Sequence, residues 1–193
     1  MGKKSMQPQR TAHIVLIGFA SCGKTTIGRI LASLLKRPFI DLDRRVEQLY
    51  ENRYGVKKRC RQIFIDKGEK AFGELERDAL IEMQSHEPAV LATGGGAPLR
   101  EGNDLILNRM GAIIYLEAEP QIILQRMERK GIPAWLRDDP TVDGVRKVYR
   151  SRDTVYSRIA DVRIETTSLS SDQVVQAIID ALERNNYFAD KDK

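Results

Sequence analysis

Eight consecutive residues, Gly18-Phe19-Ala20-Ser21-Cys22-Gly23-Lys24-Thr25, place two glycines, a lysine and a hydroxyl at the spacing G-x-x-x-x-G-K-[ST]. That combination handles polyphosphates. The glycines let successive backbone N–H groups of Gly18, Ser21, Cys22, Gly23 and the following Thr26 turn inward around an anion, and a helix beginning there adds its positive end. Lys24 then reaches the β- and γ-phosphates of a nucleotide as a point charge, and the Thr25 hydroxyl is suited to bind Mg²⁺. The flanks agree with this reading. His13-Ile14-Val15-Leu16-Ile17 is an apolar, β-branched run with the length of a buried strand, and apolar residues recur at helical spacing from Thr26 to Leu35. A chance match to the pattern would lack that strand and helix in register.

Two further groups carry chemistry. Asp41 and Asp43 close the run Pro38-Phe39-Ile40-Asp41-Leu42-Asp43, which reads as a second strand ending in two carboxylates. Alternation along a strand points both to one side, and ligands of open parallel sheets collect at the carboxyl ends of strands. One carboxylate can hold a metal ion and the other a substrate hydroxyl; the competing role for Asp43 is to cap the helix that starts near Arg44. Gly94-Gly95-Gly96 follows a third apolar run, Pro88 to Thr93. Three glycines after a buried strand imply that something approaches the backbone closely, the alternative being a loop without function.

The remaining elements must hold these groups together. Residues 44–84 read as helical and highly charged, with breaks around Asn52-Arg53-Tyr54-Gly55 and Asp66-Lys67-Gly68. Ala112 to Glu117 is a fourth strand, and a helix runs from Pro120 to Lys130. Residues 131–142, with two prolines and Trp135, break the pattern and are expected to form a mobile flap. A helix from Val142 to Ser157, a strand from Asp161 to Glu165 and a final helix capped by Ser170-Ser171-Asp172 complete the chain, the last with the apolar face Val174, Val175, Ile178, Ile179 and Leu182. Strands alternating with helices predict an α/β fold, a three-layer α/β/α sandwich on a parallel sheet.

Composition narrows the class. The 193 residues, 41% of them hydrophobic, suit one domain with a real core, spanning 1–193 with polar ends at 1–10 and 186–193 that are expected to fray. There is no run of eighteen apolar residues, and the basic start Met1 to Met6 has no apolar stretch behind it, so a cytoplasmic protein without a membrane partner is expected. Cys22 and Cys60 are far apart and lack metal-ligand spacing. The net charge of +5 comes with no aromatic-interleaved basic stripe, so small anionic substrates account for it and nucleic acid is not expected.

Taken in order, these pieces resemble the shikimate kinase family, small P-loop enzymes that phosphorylate a ring hydroxyl of shikimate with ATP and Mg²⁺. The resemblance spans nearly the whole chain. It rests on Gly18 to Gly28, the Asp41-Leu42-Asp43 pair, Gly68-Glu69 with Phe72 and Glu76, the run Val90 to Gly96, Tyr115-Leu116-Glu117, Arg126, and Arg152-Asp153 through Tyr156 to Ile159-Ala160-Asp161-Val162. It implies a five-stranded parallel sheet of order 2-3-1-4-5, an acceptor-binding region at about 44–84 and a lid at about 131–142. It further implies that Asp41 joins Thr25 around Mg²⁺ and that Asp43 binds and deprotonates the acceptor hydroxyl. Gly94, Gly95 and Gly96 would lie against the acceptor, Arg152 would grip its carboxylate, and Arg126 would lie near the adenine. A monomer acting on a small anionic hydroxylated acceptor is the expectation.

The chain departs from the family at three places. An acceptor-binding arginine follows the phenylalanine corresponding to Phe72, and here that residue is Gly73. The family's lid arginine is replaced by Ile132 within Gly131-Ile132-Pro133-Ala134-Trp135, leaving Lys130 or Arg137 to serve. The acceptor region is longer by about one helical turn and includes Lys57-Lys58-Arg59-Cys60-Arg61, which is either a substitute for the lost arginine or a solvated helix face. These departures leave open a different hydroxy acid as acceptor, and an ATP-binding regulatory or interaction protein with altered catalysis as the alternative function.

Overall fold

The computed structural model describes residues 13–133 and 136–188. Ala134 and Trp135 of the expected lid, the side chain of Lys130, and both extreme ends lie outside the described residues. Five parallel strands form one sheet in the order β2-β3-β1-β4-β5: β1 His13–Ile17, β2 Phe39–Asp41, β3 Val90–Ala92, β4 Gly111–Glu117 and β5 Val162–Glu165. All five residues of β1 are buried, without alternation, as a central parallel strand covered on both faces requires. Ile14 stands opposite Val90 on one side and Ala112 on the other, so β3 and β4 both end level with the loop that leaves β1.

Among the described residues seven α-helices surround the strands: α1 Lys24–Leu34, α2 Leu42–Tyr54, α3 Cys60–Met83, α4 Asn103–Met110, α5 Pro120–Lys130, α6 Val142–Ile159 and α7 Ser171–Arg184. α1 packs on α7 and on β1, β2 and β3, whereas α4 packs on β1, β4 and α3, and α6 on β4 and α5. No helix among the described residues is long and apolar enough to cross a membrane. α7 begins with a reciprocal cap, in which the Ser170 hydroxyl accepts from Gln173 N and the Gln173 side chain accepts from Ser170 N. Its buried residues Val174, Val175, Ile178, Ala181 and Leu182 complete the core, and Tyr187 and Phe188 pack against that core beyond the helix.

Two details differ from the sequence reading. β2 stops at Asp41, and Asp43 stands in the first turn of α2 rather than at a strand end. α4 went unrecognised because its eight residues present a short apolar pattern after Gly102. The break expected at Asp66-Lys67-Gly68 is present: α3 is one helix in two pieces, interrupted at Gly68 with φ 79° and ψ 174°, a conformation for which a side chain is poorly suited.

Candidate active site

The loop from β1 to α1 is shaped by residues that cannot be exchanged freely. Gly18 has φ 141°, and a Cβ there would lie 2.5 Å from the Leu116 carbonyl oxygen. Left-handed strain and overlap together cost about 2–4 kcal/mol. Gly18→Ala is therefore expected to lower the thermal midpoint by about 5–15 °C, measurable by calorimetry. α1 starts at Gly23 with no side-chain cap, so the N–H groups of its first turn are left for an anion. The Lys24 ammonium is buried and donates to the carbonyl oxygens of Gly18 and Phe19, each at 2.8 Å.

Two clefts flank this loop and share Ser21, Gly23 and Thr26 as common wall. The first, about 250 Å³, is lined also by Cys22, Ile27, Arg126, Thr166, Leu169 and Val174. Arg126 donates to the carbonyl oxygens of Ser21 (3.5 Å), Cys22 (3.3 Å) and Thr166 (3.2 Å), and so ties the phosphate loop to the turn after β5. The second, about 230 Å³, brings Lys24, Thr25, Asp41, Asp43, Thr93, Gly94 and Gly95 together. Thr25 Oγ1 donates to Asp41 Oδ2 at 3.3 Å. A hydroxyl and a carboxylate side by side suit Mg²⁺, which takes hard oxygen ligands, keeps several waters and shares substrate phosphates.

Asp43 reaches the same cleft from the helix. Its Oδ1 lies where a Cβ on Gly94 would come within 2.5 Å, so the glycine makes room for the carboxylate. Asp43 is open to the cleft on one side, and protein atoms crowd its carboxylate on the other. That desolvation, with Asp41 beside it, raises its pKa above the ordinary carboxylate range, and Lys24 opposes the rise. Cys60 Sγ lies 3.1 Å from the Asp43 carbonyl oxygen and ties the start of α3 to this turn. Burial and the neighbouring carboxylates raise the thiol's pKa, so it remains protonated.

On the other side of the glycines stands α6. Tyr156 Oη donates to the Gly95 carbonyl oxygen at 2.6 Å, and Tyr115 Oη on β4 donates to Asp153 Oδ1 at 2.8 Å and meets Tyr149 Oη at 2.9 Å. Burial raises the pKa of all three phenols, that of Tyr149 to about 12, so they stay neutral and can donate. These bonds pin α6 to β4 and to the glycine run, which fixes Arg152: its guanidinium lies over the Phe19 ring at 5.2 Å, and Nη1 is 3.7 Å from where a Cβ of Gly95 would be. Gly96 differs from its neighbours, since a Cβ there would meet nothing within 4 Å.

The structure thus brings Lys24, Thr25, Asp41, Asp43, Gly94, Gly95 and Arg152 to one end of the sheet, with Ser21, Cys22, Gly23, Thr26 and Arg126 beside them. The basic stretch does not join them. Lys58 pairs with Asp66 at 2.5 Å and Arg59 with Glu47 at 2.9 Å, both on the exposed side of the acceptor region. Ile132 packs against the core, while Arg137 is exposed. Glu76 and Arg100 were not singled out as site residues by sequence reasoning, yet Glu76 stands near Asp43 at Gly94 and holds Arg100. Glu76 is buried, its Oε2 accepts from Arg100 Nε at 2.5 Å, and its Oε1 lies 3.7 Å from the position of a Gly94 Cβ. A glutamate at i+3 from a glycine on an otherwise apolar helix face was the available signal.

Known proteins bear directly on this arrangement. The shikimate kinase family model matches residues 20–183. The chain is 36% identical over 176 residues to the shikimate kinase of Pelotomaculum thermopropionicum, covering 91% of this chain and 98% of that one. It is 31% identical over 185 residues to that of Rhodopirellula baltica, covering 94% of each. Among solved structures, the shikimate kinase from Acinetobacter baumannii in complex with shikimate superposes with a TM-score of 0.79 at 32% identity, over 91% of this chain and 94% of that one. With a matching sheet order and matches that run through nearly all of its length, the chain belongs to the shikimate kinase family, whose members phosphorylate a hydroxyl group of shikimate.

Proposed function

We propose that this protein transfers the γ-phosphoryl group of ATP to a hydroxyl of shikimate, with Lys24 and Asp43 as the catalytic pair. The observation that carries the reading is the single cleft shared by Lys24, Thr25, Asp41, Asp43 and Gly94-Gly95, which sets phosphate-binding and hydroxyl-binding groups against each other. The nucleotide lies with its base in the cleft lined by Arg126 and its phosphates on the backbone of Gly18 and Ser21 to Thr26. Thr25 and Asp41 hold Mg²⁺, which neutralises phosphate charge when bound. Asp43 orients the acceptor hydroxyl and takes its proton as the oxygen bonds to the γ-phosphorus and the bond to ADP breaks. Its raised pKa makes it a stronger base than an ordinary carboxylate.

Positioning and charge neutralisation supply most of the rate in such transfers. Lys24 therefore acts chiefly as a fixed cation. Gly94 and Gly95 admit the acceptor against their backbone, and Arg152 binds its carboxylate. With Ile132 packed into the core, the positive charge of the lid falls to Lys130 or Arg137, and closure of residues 131–142 excludes water. A monomeric, cytoplasmic enzyme is part of the proposal. The test is coupled ADP release with shikimate, with a panel of other hydroxy acids and polyols, and with no acceptor. Release dependent on shikimate is expected; faster release with another acid would reassign the acceptor, and equal release in all arms would sink the reading.

A further inference from the structure

Gly73 is not an empty position. A Cβ built there would come within 2.8 Å of Arg100 Nη1, 2.9 Å of its Cζ and 3.0 Å of its Nε, so the guanidinium of Arg100 occupies the space above the Gly73 backbone. Arg100 arrives from another part of the chain, after the short 3₁₀ turn Ala97–Leu99 that follows the glycine run. Its Nε is held by buried Glu76, one helical turn beyond Gly73 on α3, and its Cζ is 6.0 Å from the centroid of the Phe72 ring. Glu69, which is largely exposed, stands 3.8 Å from Nη1.

We infer that Arg100 is the second carboxylate-binding arginine of the acceptor site, and that Gly73 is the residue that makes room for it. The inference rests on the proposed function. Three features carry it. Glu76 faces Arg100 with one oxygen and the Gly94 backbone, where Asp43 lies, with the other, so the guanidinium adjoins the acceptor cleft through a single residue. The Glu76 bond uses Nε, and the two-nitrogen end of the guanidinium, the part suited to a bidentate carboxylate, meets among the described acidic side chains only the loose Glu69 contact at 3.8 Å. Arg152 stands beside Gly95, so an anionic acceptor lying along Gly94-Gly95 has a guanidinium toward each end. Burial raises the Glu76 pKa and the Arg100 contact opposes the rise, which fits a carboxylate whose main partner is that arginine.

In the observed arrangement a side chain at position 73 and the Arg100 guanidinium compete for one space, so one of them has to shift. A bulky residue there requires Arg100 to move, and loss of Arg100 opens the space for one. The experiment compares shikimate with its methyl ester, which lacks the carboxylate charge, in the unaltered protein, Arg100→Met, Arg100→Met with Glu76→Gln, and Arg100→Ala with Gly73→Arg. Arg100→Met is expected to raise KM for shikimate about tenfold to a hundredfold while leaving KM for ATP and the methyl ester nearly unchanged. The double variant with Glu76→Gln removes the unpaired buried acid and is expected to keep that altered ratio with a recovered thermal midpoint. Arg100→Ala with Gly73→Arg is expected to regain most of the preference for shikimate over its ester. Turnover of shikimate with the same ester preference in all variants would overturn the inference alone. No shikimate-dependent turnover by the unaltered protein would overturn the proposed function and the inference with it.

Discussion

Lys24→Met is expected to reduce phosphoryl transfer at least about 10²–10³-fold, the scale on which one preorganised charge or donor contributes to such transition states. Methionine matches the lysine in length and fills the same buried site, so the comparison isolates the charge. Two effects on the fold oppose each other. The Gly18 and Phe19 carbonyl oxygens lose a donor at 2.8 Å each, which costs about 1–3 kcal/mol if they find no other, while the desolvation of a buried ammonium disappears. The thermal midpoint should therefore move by only a few degrees, and circular dichroism should be unchanged. Turnover within tenfold of the unaltered protein would remove Lys24 from the catalytic role.

Asp43→Asn is expected to lower kcat by about 10²–10⁴-fold with little change in ATP affinity, because the residue serves the acceptor hydroxyl and not the nucleotide. Isothermal titration with ATP separates the two. An equal fall in ATP affinity would make Asp43 a metal-positioning residue instead. The same substitution has a stability consequence with a definite sign. The pKa of Asp43 is raised by folding, so between the unfolded and folded values the native state binds more protons than the unfolded state. The carboxylate then contributes a cost that is absent below the ordinary carboxylate pKa and complete above the folded pKa. Asparagine lacks that cost. At neutral pH the variant should be equally or more stable than the unaltered protein, and the difference should shrink as pH falls through the folded pKa. The acidic limb of kcat/KM for the acceptor in the unaltered protein, which reports the enzyme before the acceptor binds, should likewise lie above the usual carboxylate range.

The parts of this site that were legible in the sequence are those whose chemistry is local. The phosphate loop is a strand, a turn and a helix in sequence order, and its spacing alone fixes where Lys24 and Thr25 go. Asp41 and Asp43 were correctly grouped, but for a reason that does not hold. They converge because the chain turns from strand to helix between them, and not because a strand alternates. The coupling of Gly73 with Arg100 was beyond reach, since the two residues are 27 positions apart and meet only when the turn after β3 folds back onto α3. Read along the chain, Gly73 is simply a missing arginine and a weak spot in a helix. The nearby basic run from Lys57 to Arg61 reads either as a substitute or as a solvated helix face, and the pairing of Lys58 and Arg59 with Asp66 and Glu47 fits the second. Neither alternative pointed to Arg100, a charge distant in the chain and close in space.

The break in α3 bears on how this region can vary in length. Gly55 and Gly68 both take left-handed conformations with open space around them, and between them Val56, Phe64 and Ile65 are exposed while Ile63 is buried. The stretch is thus a short lobe bounded by two left-handed glycines and held by buried Ile63, by Cys60 on the Asp43 carbonyl oxygen and by Arg59 on Glu47. A turn of helix added or removed inside it need not shift the register of Leu75, Ala79, Leu80 and Met83, which seat the second piece of α3 in the core. Insertions there would alter the surface beside the turn at Asp43, which Cys60 contacts, while Glu76 and Arg100 keep their places, so this lobe can diversify independently of the pair proposed to recognise charge.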